Sequence, residues 1–86
     1  MDVQHQAGQQ RFVVISGGLE SVLEYRLLPD RQIDFTRTFV PVALRGQGIA
    51  EKLVRTGIQW ARGQDYRVQA SCWYVRRFLE RRRRDE

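Results

Sequence analysis

The stretch TFVPVALRGQGIAEKL, residues 38–53, decides the fold of this chain because the hydrophobic period changes within it. Residues before Pro41 alternate between two faces, as side chains on a β-strand do. Pro41 then ends the strand, because it has no backbone N–H to donate to a neighbouring strand. From Gly46 onward the apolar residues recur at spacings of three and four, which is typical of a helix that buries one face. The stretch therefore predicts a strand, a short loop with two glycines, and a helix over residues 46–62.

Toward the N-terminus, the sequence predicts an antiparallel meander of three strands. The first strand is residues 11–16, which are rich in β-branched and aromatic side chains, and the second is residues 19–27, which alternate. The Gly17-Gly18 pair between them suits a tight hairpin turn, because glycine adopts positive φ at little cost. The third strand covers residues 33–40 and leads directly into the glycine loop.

Toward the C-terminus, residues 67–71 are predicted as a short fourth strand, and Ser71 is predicted to cap a last helix that turns Val75 and Phe78 inward. Because a helix joins the third and fourth strands, these two strands are expected to be parallel and the crossover right-handed. The predicted fold class is α+β: a mixed sheet with an antiparallel three-stranded meander, a β-α-β crossover and a C-terminal helix, in the order β-β-β-α-β-α.

Length and composition limit the chain to one small domain of ordinary globular type. Its 86 residues leave no room for a second domain. We expect residues 1–10 to be a flexible leader, residues 11–80 the folded domain and residues 81–86 a charged tail. One cysteine excludes an internal disulfide and a cysteine-built zinc site, so no metal is expected. No signal peptide and no apolar run long enough to span a membrane are present, so the expected compartment is the cytoplasm.

The basic excess, 15 Lys and Arg against 10 Asp and Glu, points to an anionic partner. Nucleic acid is the less favoured partner, because aromatic side chains are not interleaved with arginine on one strand and no KH-type loop occurs. Part of the excess is the run of four arginines at residues 81–84. The remaining candidate for an anion is the loop that opens the predicted helix.

The loop R45-G46-Q47-G48-I49-A50 has the features of a backbone anion site, although a similar pattern also occurs as plain turn chemistry. The first N–H groups of a helix have no acceptor within the helix and lie at the positive end of its dipole. Two glycines remove the Cβ atoms that would keep a phosphate away from these amides, and Arg45 adds a cation. A pyrophosphate is the ligand that fits this arrangement.

These residues resemble a known family. R45-G46-Q47-G48-I49-A50 resembles the acyl-CoA loop of the GNAT superfamily of N-acetyltransferases, and T38-F39-V40-P41 together with the later C72-W73-Y74-V75 resembles its small single-domain branch. The resemblance extends from Phe12 to Glu80 and implies a truncated GNAT fold that lacks the usual first helices. It also implies acetyl-CoA as cosubstrate and an amine of unknown identity as acceptor.

The resemblance also assigns residues to roles. It implies that the thioester lies near Cys72 and that Tyr74 gives a proton to the departing CoA thiolate, which makes these two the candidate catalytic residues. Cys72 has a further rationale in its place at a helix start near Arg76 and Arg77, where a thiolate is favoured. The candidate acetyl-CoA-binding residues are Phe39, Val40, Arg45, Gly46, Gln47, Gly48, Ile49, Ala50 and Arg77.

Two departures from the family leave the activity open. The position where this branch often has histidine is Arg37, which cannot act as a base at neutral pH, and the usual glutamate is Phe39. The chain is therefore either an acetyltransferase or a non-catalytic acyl-CoA-binding or interaction module. Alternation places Arg37 on the face of Ile33 and Phe35, where we expect it to bind an anionic group in a substrate groove. The same uncovered sheet face could also support a homodimer.

Overall fold

A computed structural model describes residues 2–85, with side chains through Arg81, as one mixed sheet of five strands and two helices on one of its faces. Neighbouring strands are antiparallel except for the last pair, which is parallel. This confirms the predicted α+β class with its β-α-β crossover. The elements in chain order are β1 (Gln4–Gln6), β2 (Arg11–Ser16), β3 (Leu19–Leu28), β4 (Gln32–Phe39), α1 (Ile49–Gly63), β5 (Arg67–Ala70) and α2 (Trp73–Asp85).

The predicted flexible leader is wrong, because β1 lies within it and pairs with β2 at the edge of the sheet. The reason is the side chain of His5, which stacks on Phe12 with ring centroids 4.2 Å apart. Its Nε2 atom also lies 2.7 Å from the hydroxyl oxygen of Tyr25. Trp60 of α1 closes the same cluster with its ring 4.5 Å from that of His5. His5 is therefore a packed residue of the fold.

The predicted tail over residues 81–86 is not a separate segment, because α2 continues to Asp85. Glu86 and the side chains beyond Arg81 lie outside the described residues. Helix α2 contributes Val75 and Phe78 to the same core cluster as α1.

The core is formed where α1 packs on the sheet. The apolar stripe predicted for this helix is buried, with Leu53, Val54, Ile58 and Ala61 fully inaccessible to solvent. Gly57 lies at the closest approach, because a Cβ atom there would meet the Leu23 side chain at 2.7 Å. This close approach of α1 to the sheet explains why a glycine stands inside the helix.

A β-bulge in β4 reverses the alternation at the end of that strand. Glu24 of β3 pairs with Arg37, but the next residue, Tyr25, pairs with Phe35, so Thr36 is the extra residue. The prediction that Arg37 shares the face of Phe35 is therefore wrong. Arg37 lies on the opposite face, and Thr38 is the residue that turns toward the helices.

The sheet face opposite the helices carries ion pairs around a short apolar row. Arg37 and Glu24 are 3.6 Å apart, and the Arg37 guanidinium lies 5.2 Å from the centroid of the Phe39 ring. Val13 and Val22 pair across β2 and β3 on this face, and both are buried. Both members of the Arg37–Glu24 pair are exposed, so the pair itself contributes about 1 kcal/mol at most. The face of Ile33 and Phe35, which we expected to be uncovered, is instead covered by α1, so that part of the prediction is wrong. The homodimer itself remains a prediction.

Candidate functional site

The loop between β4 and α1 leaves backbone amides open at the start of the helix. Gly46 and Gly48 both have positive φ, +83° and +76°, which explains why α1 begins at Ile49, three residues later than predicted. Among the described residues no side chain caps this helix, and the Lys52 N–H donates to the Gly48 carbonyl in its first turn. A Cβ atom at either glycine would meet nothing within 4 Å. The amides of residues 49–51 have no acceptor within the helix and are available to an external one.

Arg45 joins this loop to the end of β4. Its Nε atom donates a hydrogen bond to the Val40 carbonyl at 3.0 Å, which fixes one edge of the guanidinium. Arg45 also lines a cleft of about 220 Å³. The lining residues of this cleft, which we call the loop cleft, are Val40, Leu44, Arg45, Gly46, Gly48, Ile49, Ala50, Glu51 and Tyr74.

Most of the predicted cofactor-binding residues thus lie together. Gln47 and Phe39 do not line the loop cleft, although both are exposed residues next to it in sequence. The sequence reasoning missed Glu51, which borders the loop cleft from the first turn of α1. Glu51 could have been predicted from its position directly after the glycine loop, because the first-turn residues of that helix lie beside the loop.

Cys72 lies where β5 ends and α2 begins. Its N–H donates to the Phe35 carbonyl at 3.0 Å, and its own carbonyl accepts from the Arg76 N–H at 3.0 Å, so Cys72 is the N-cap residue. The prediction that Ser71 caps this helix is wrong, because the backbone N–H and the hydroxyl of Ser71 both donate to the carboxylate of Asp34. The thiol is half-buried, with its Sγ 3.5 Å from the Thr38 hydroxyl oxygen.

The surroundings of Cys72 favour the thiolate. Burial alone would raise the pKa of the thiol, but hydrogen bonds from the Thr38 side chain and from the amides of Val75 and Tyr74 outweigh it and lower the pKa. The arginines invoked from the sequence are not the cause. Arg76 donates to the Ala70 carbonyl at 3.2 and 3.3 Å, and Arg77 turns outward.

The pKa of Tyr74 is shifted in the opposite direction. Burial and the negative charge of Glu51 raise the pKa of its phenol, so the group keeps its proton at neutral pH and can donate it. Tyr74 lines the loop cleft two residues after Cys72. The fold therefore places a thiol of lowered pKa and a phenol of raised pKa at the start of one helix.

A second groove, of about 240 Å³, adjoins the loop cleft and shares Glu51 and Tyr74 with it. Its other lining residues are Trp73, Arg77, Phe78 and Arg81. Trp73 is 67% exposed, which is unusual for an indole. We call this the outer groove. It is the place where the structure puts Arg77.

Two findings concern absences in the described part of the chain. Among residues 2–85, no group of three or more histidine, cysteine or carboxylate side chains is placed to hold a metal ion. Within the same residues, neither helix has the length and apolarity needed to cross a membrane.

Comparison with known proteins agrees with this architecture. The family described as GCN5-related N-acetyl-transferase matches residues 11–86. The chain is 32% identical over 80 residues to Protein NATD1 of Bos taurus, covering 91% of this chain and 71% of that protein. Protein NATD1 of Homo sapiens is 30% identical, with the same two coverages.

A solved structure shows the same fold. The NMR solution structure of a GCN5-like protein from Staphylococcus aureus superposes with a TM-score of 0.74 at 25% sequence identity. The likeness covers 94% of this chain and 79% of that one. Fold and glycine loop together define a protein of the acyltransferase type. The family match makes this specific: the chain belongs to the GCN5-related N-acetyltransferase family.

Proposed function

We propose that this protein binds acetyl-CoA and transfers its acetyl group to an amine. The observation that carries the proposal is the set of uncapped amides at residues 49–51, which opens onto the loop cleft beside Arg45. A pyrophosphate has the charge and the acceptor oxygens that such amides lack. Arg45 supplies the countercharge.

The remaining parts of acetyl-CoA have matching surfaces. Strands β4 and β5 pair only as far as Phe35 and Ala70, so within residues 2–85 no strand pairs with the β4 edge beyond Thr36 on that side. Backbone groups of Phe39 and Val40 on that edge would bind the pantetheine amides. The outer groove would take the phosphorylated nucleotide end, with Arg77 and Arg81 as cations and the exposed Trp73 as a stacking surface.

The proposed chemistry divides the work between Cys72 and Tyr74. The Cys72 thiolate attacks the thioester carbonyl, a new S–C bond forms and the C–S bond to CoA breaks. The departing CoA thiolate takes the phenol proton of Tyr74. An amine then attacks the acetyl-cysteine, its proton returns to the tyrosinate, and Cys72 leaves as the thiolate. A thiol of lowered pKa and a phenol of raised pKa suit these two roles.

Arg37, on the face of β4 opposite the helices, is proposed to bind an anionic group of the acceptor, whose amine would reach Cys72 past the end of β4 that β5 leaves unpaired. Arg37 is exposed and its bond to Glu24 is long, so the guanidinium can exchange that partner for an anionic group of the acceptor. Arg37→Ala would then weaken use of carboxylate-bearing amines while leaving acetyl-CoA affinity unchanged. Equal losses for neutral and anionic amines would remove Arg37 from the acceptor site.

Calorimetric titration with acetyl-CoA tests the binding step. Gly48→Ala is compared with Gly17→Ala, because both glycines have positive φ and both would place a Cβ atom in open space. The two variants should lose similar stability, about 1–2 kcal/mol. Only Gly48→Ala should weaken acetyl-CoA binding, by roughly tenfold or more, because the added Cβ atom would hold the pyrophosphate away from the amides and weaken its charge-assisted hydrogen bonds. Equal affinities in both variants would contradict the proposed site.

Intact-protein mass spectrometry after incubation with acetyl-CoA tests the transfer step. The proposal predicts an acetyl adduct that is absent in Cys72→Ala and that disappears when an amine is added. Cys72→Ala should keep its affinity for acetyl-CoA. Binding without any adduct, and without CoA release in the presence of a panel of amines, would favour the alternative of a non-catalytic acyl-CoA-binding module.

A further inference from the structure

The turn between β5 and α2 is held by a carboxylate from the neighbouring strand. Asp34 of β4 accepts two hydrogen bonds from Ser71, one from its backbone N–H at 2.7 Å and one from its hydroxyl at 2.6 Å. The two bonds use different oxygens of the same carboxylate, so they fix both the position and the rotation of Ser71. Charge-assisted bonds of this length are the stronger class of hydrogen bond.

This contact lies immediately before Cys72. The regular pairing of β4 with β5 ends at Phe35 and Ala70, and the next bond of the ladder is the Cys72 N–H to the Phe35 carbonyl. Ser71 would otherwise be the one residue of the turn with no strand partner. The Asp34 carboxylate fills that gap, so three successive residues of the turn are fixed from β4.

The orientation of the Cys72 thiol depends on this turn. As the N-cap residue, Cys72 can direct its Sγ toward the first amides of α2 and toward Thr38 only while its backbone stays in the cap conformation. A rotation of the exposed turn would move the thiol away from all these donors at once. The donors lie on two elements, β4 and α2, and the turn sets their distance from the sulfur.

We propose that Asp34 is a positioning residue for Cys72, acting through Ser71. This proposal rests on the proposed function only in assuming that the Cys72 thiol takes part in acetyl transfer. Asp34 cannot act by its charge, because a nearby anion disfavours a thiolate. Asp34 must therefore act by holding Ser71 in place. Asp34→Asn tests this, because it removes the charge and keeps an acceptor for Ser71.

Alkylation of the thiol by iodoacetamide across a range of pH measures the arrangement without any acetyl-CoA. Cys72 is the only cysteine of the chain, so the reaction reports one site. Asp34→Ala should shift the pH midpoint of alkylation upward and slow the reaction at neutral pH about three- to tenfold, because a less stabilised thiolate is less populated. Asp34→Asn, which keeps an acceptor for the Ser71 N–H, should stay within about twofold of the parent.

Two further variants make the test independent of general destabilisation. Gln69→Ala removes a cross-strand side-chain bond to Gln32 that is equally exposed and does not reach Ser71, so its midpoint should not move. Ser71→Ala removes only the hydroxyl bond and should give an intermediate shift. If Asp34→Ala does not fold, Asp34→Asn and Ser71→Ala still decide the question.

The outcomes separate the two proposals. An unmoved midpoint in both Asp34→Ala and Ser71→Ala overturns the positioning role, as does a shift of equal size in Gln69→Ala. A shifted midpoint in a protein that takes up no acetyl-CoA supports the positioning role and refutes the proposed function. Acetyl-adduct formation that is normal in Asp34→Ala supports the proposed function and overturns the positioning role.

Discussion

Replacing Gly57 with alanine should have two opposing effects on the free energy of unfolding. Gly57 lies inside α1, where alanine is the better helix former by about 1 kcal/mol. The new Cβ atom would meet Leu23 Cδ2 at 2.7 Å and Phe35 Cε1 at 3.1 Å. Leu23 and Phe35 are both completely buried, so neither side chain can move without disturbing the core.

The steric effect should win. Overpacking a close-packed core costs about 1–3 kcal/mol, and subtracting the gain in helix propensity leaves a net loss of about 1 kcal/mol. Gly63→Ala is the matched control, because Gly63 ends the same helix and a Cβ atom there would meet nothing within 4 Å. The control should gain up to about 1 kcal/mol, so the two variants should differ by about 2 kcal/mol.

Urea unfolding followed by circular dichroism measures both variants against the parent. A loss of 1 kcal/mol in a domain of this size lowers Tm by about 4–8 °C, so calorimetric scans provide a second measure. Gly57→Ala as stable as Gly63→Ala would refute the close approach of α1 to the sheet. It would mean that position 57 tolerates a side chain and that helix propensity alone determines the change in stability.

Three further predictions concern β1 and the loop. Burial lowers the pKa of His5 in the folded protein. The contribution of neutral His5 to the free energy of unfolding is therefore full above the unfolded pKa of about 6.5 and is lost as pH falls through the lower folded value. The urea midpoint should fall between about pH 7.5 and pH 5, and should fall less in His5→Phe. Tyr25→Phe, which removes the bond to His5, should cost about 1 kcal/mol at neutral pH, measured by urea unfolding; an unchanged midpoint would contradict the role of that bond. Arg45→Lys should weaken acetyl-CoA binding several-fold in calorimetric titration, because lysine lacks the planar fork that bonds Val40. Arg62→Lys, in the last turn of α1 and so at the opposite end of that helix from the loop, should not change the affinity.

The parts of the fold that could be predicted from the sequence are those that local pattern determines. The change of period around Pro41, the paired glycines and the apolar stripe of α1 each act within a few residues. They were sufficient for the β-α-β unit and for the place of the glycine loop. The resemblance of residues 45–50 to the acyl-CoA loop could be recognised from the same stretch of sequence.

The errors came from contacts between distant residues. The bulge at Thr36 depends on how β3 pairs, and alternation read from one strand cannot detect it, so Arg37 was placed on the wrong face. β1 is held by the His5 side chain against rings from other elements, while its own sequence is polar. Ser71 has the composition of a cap, but Asp34 binds it first and Cys72 becomes the cap residue.

The proposed acetyl-CoA site is tested most directly by nuclear magnetic resonance titration of the isotope-labelled protein with acetyl-CoA. Backbone amides of residues 46–51 should show the largest and saturable shifts, because those amides are proposed to bind the pyrophosphate. Smaller shifts should follow for Tyr74 and for Arg77 in the outer groove. No saturable shift at residues 46–51 at millimolar acetyl-CoA, or shifts confined to another surface, would contradict the proposed site.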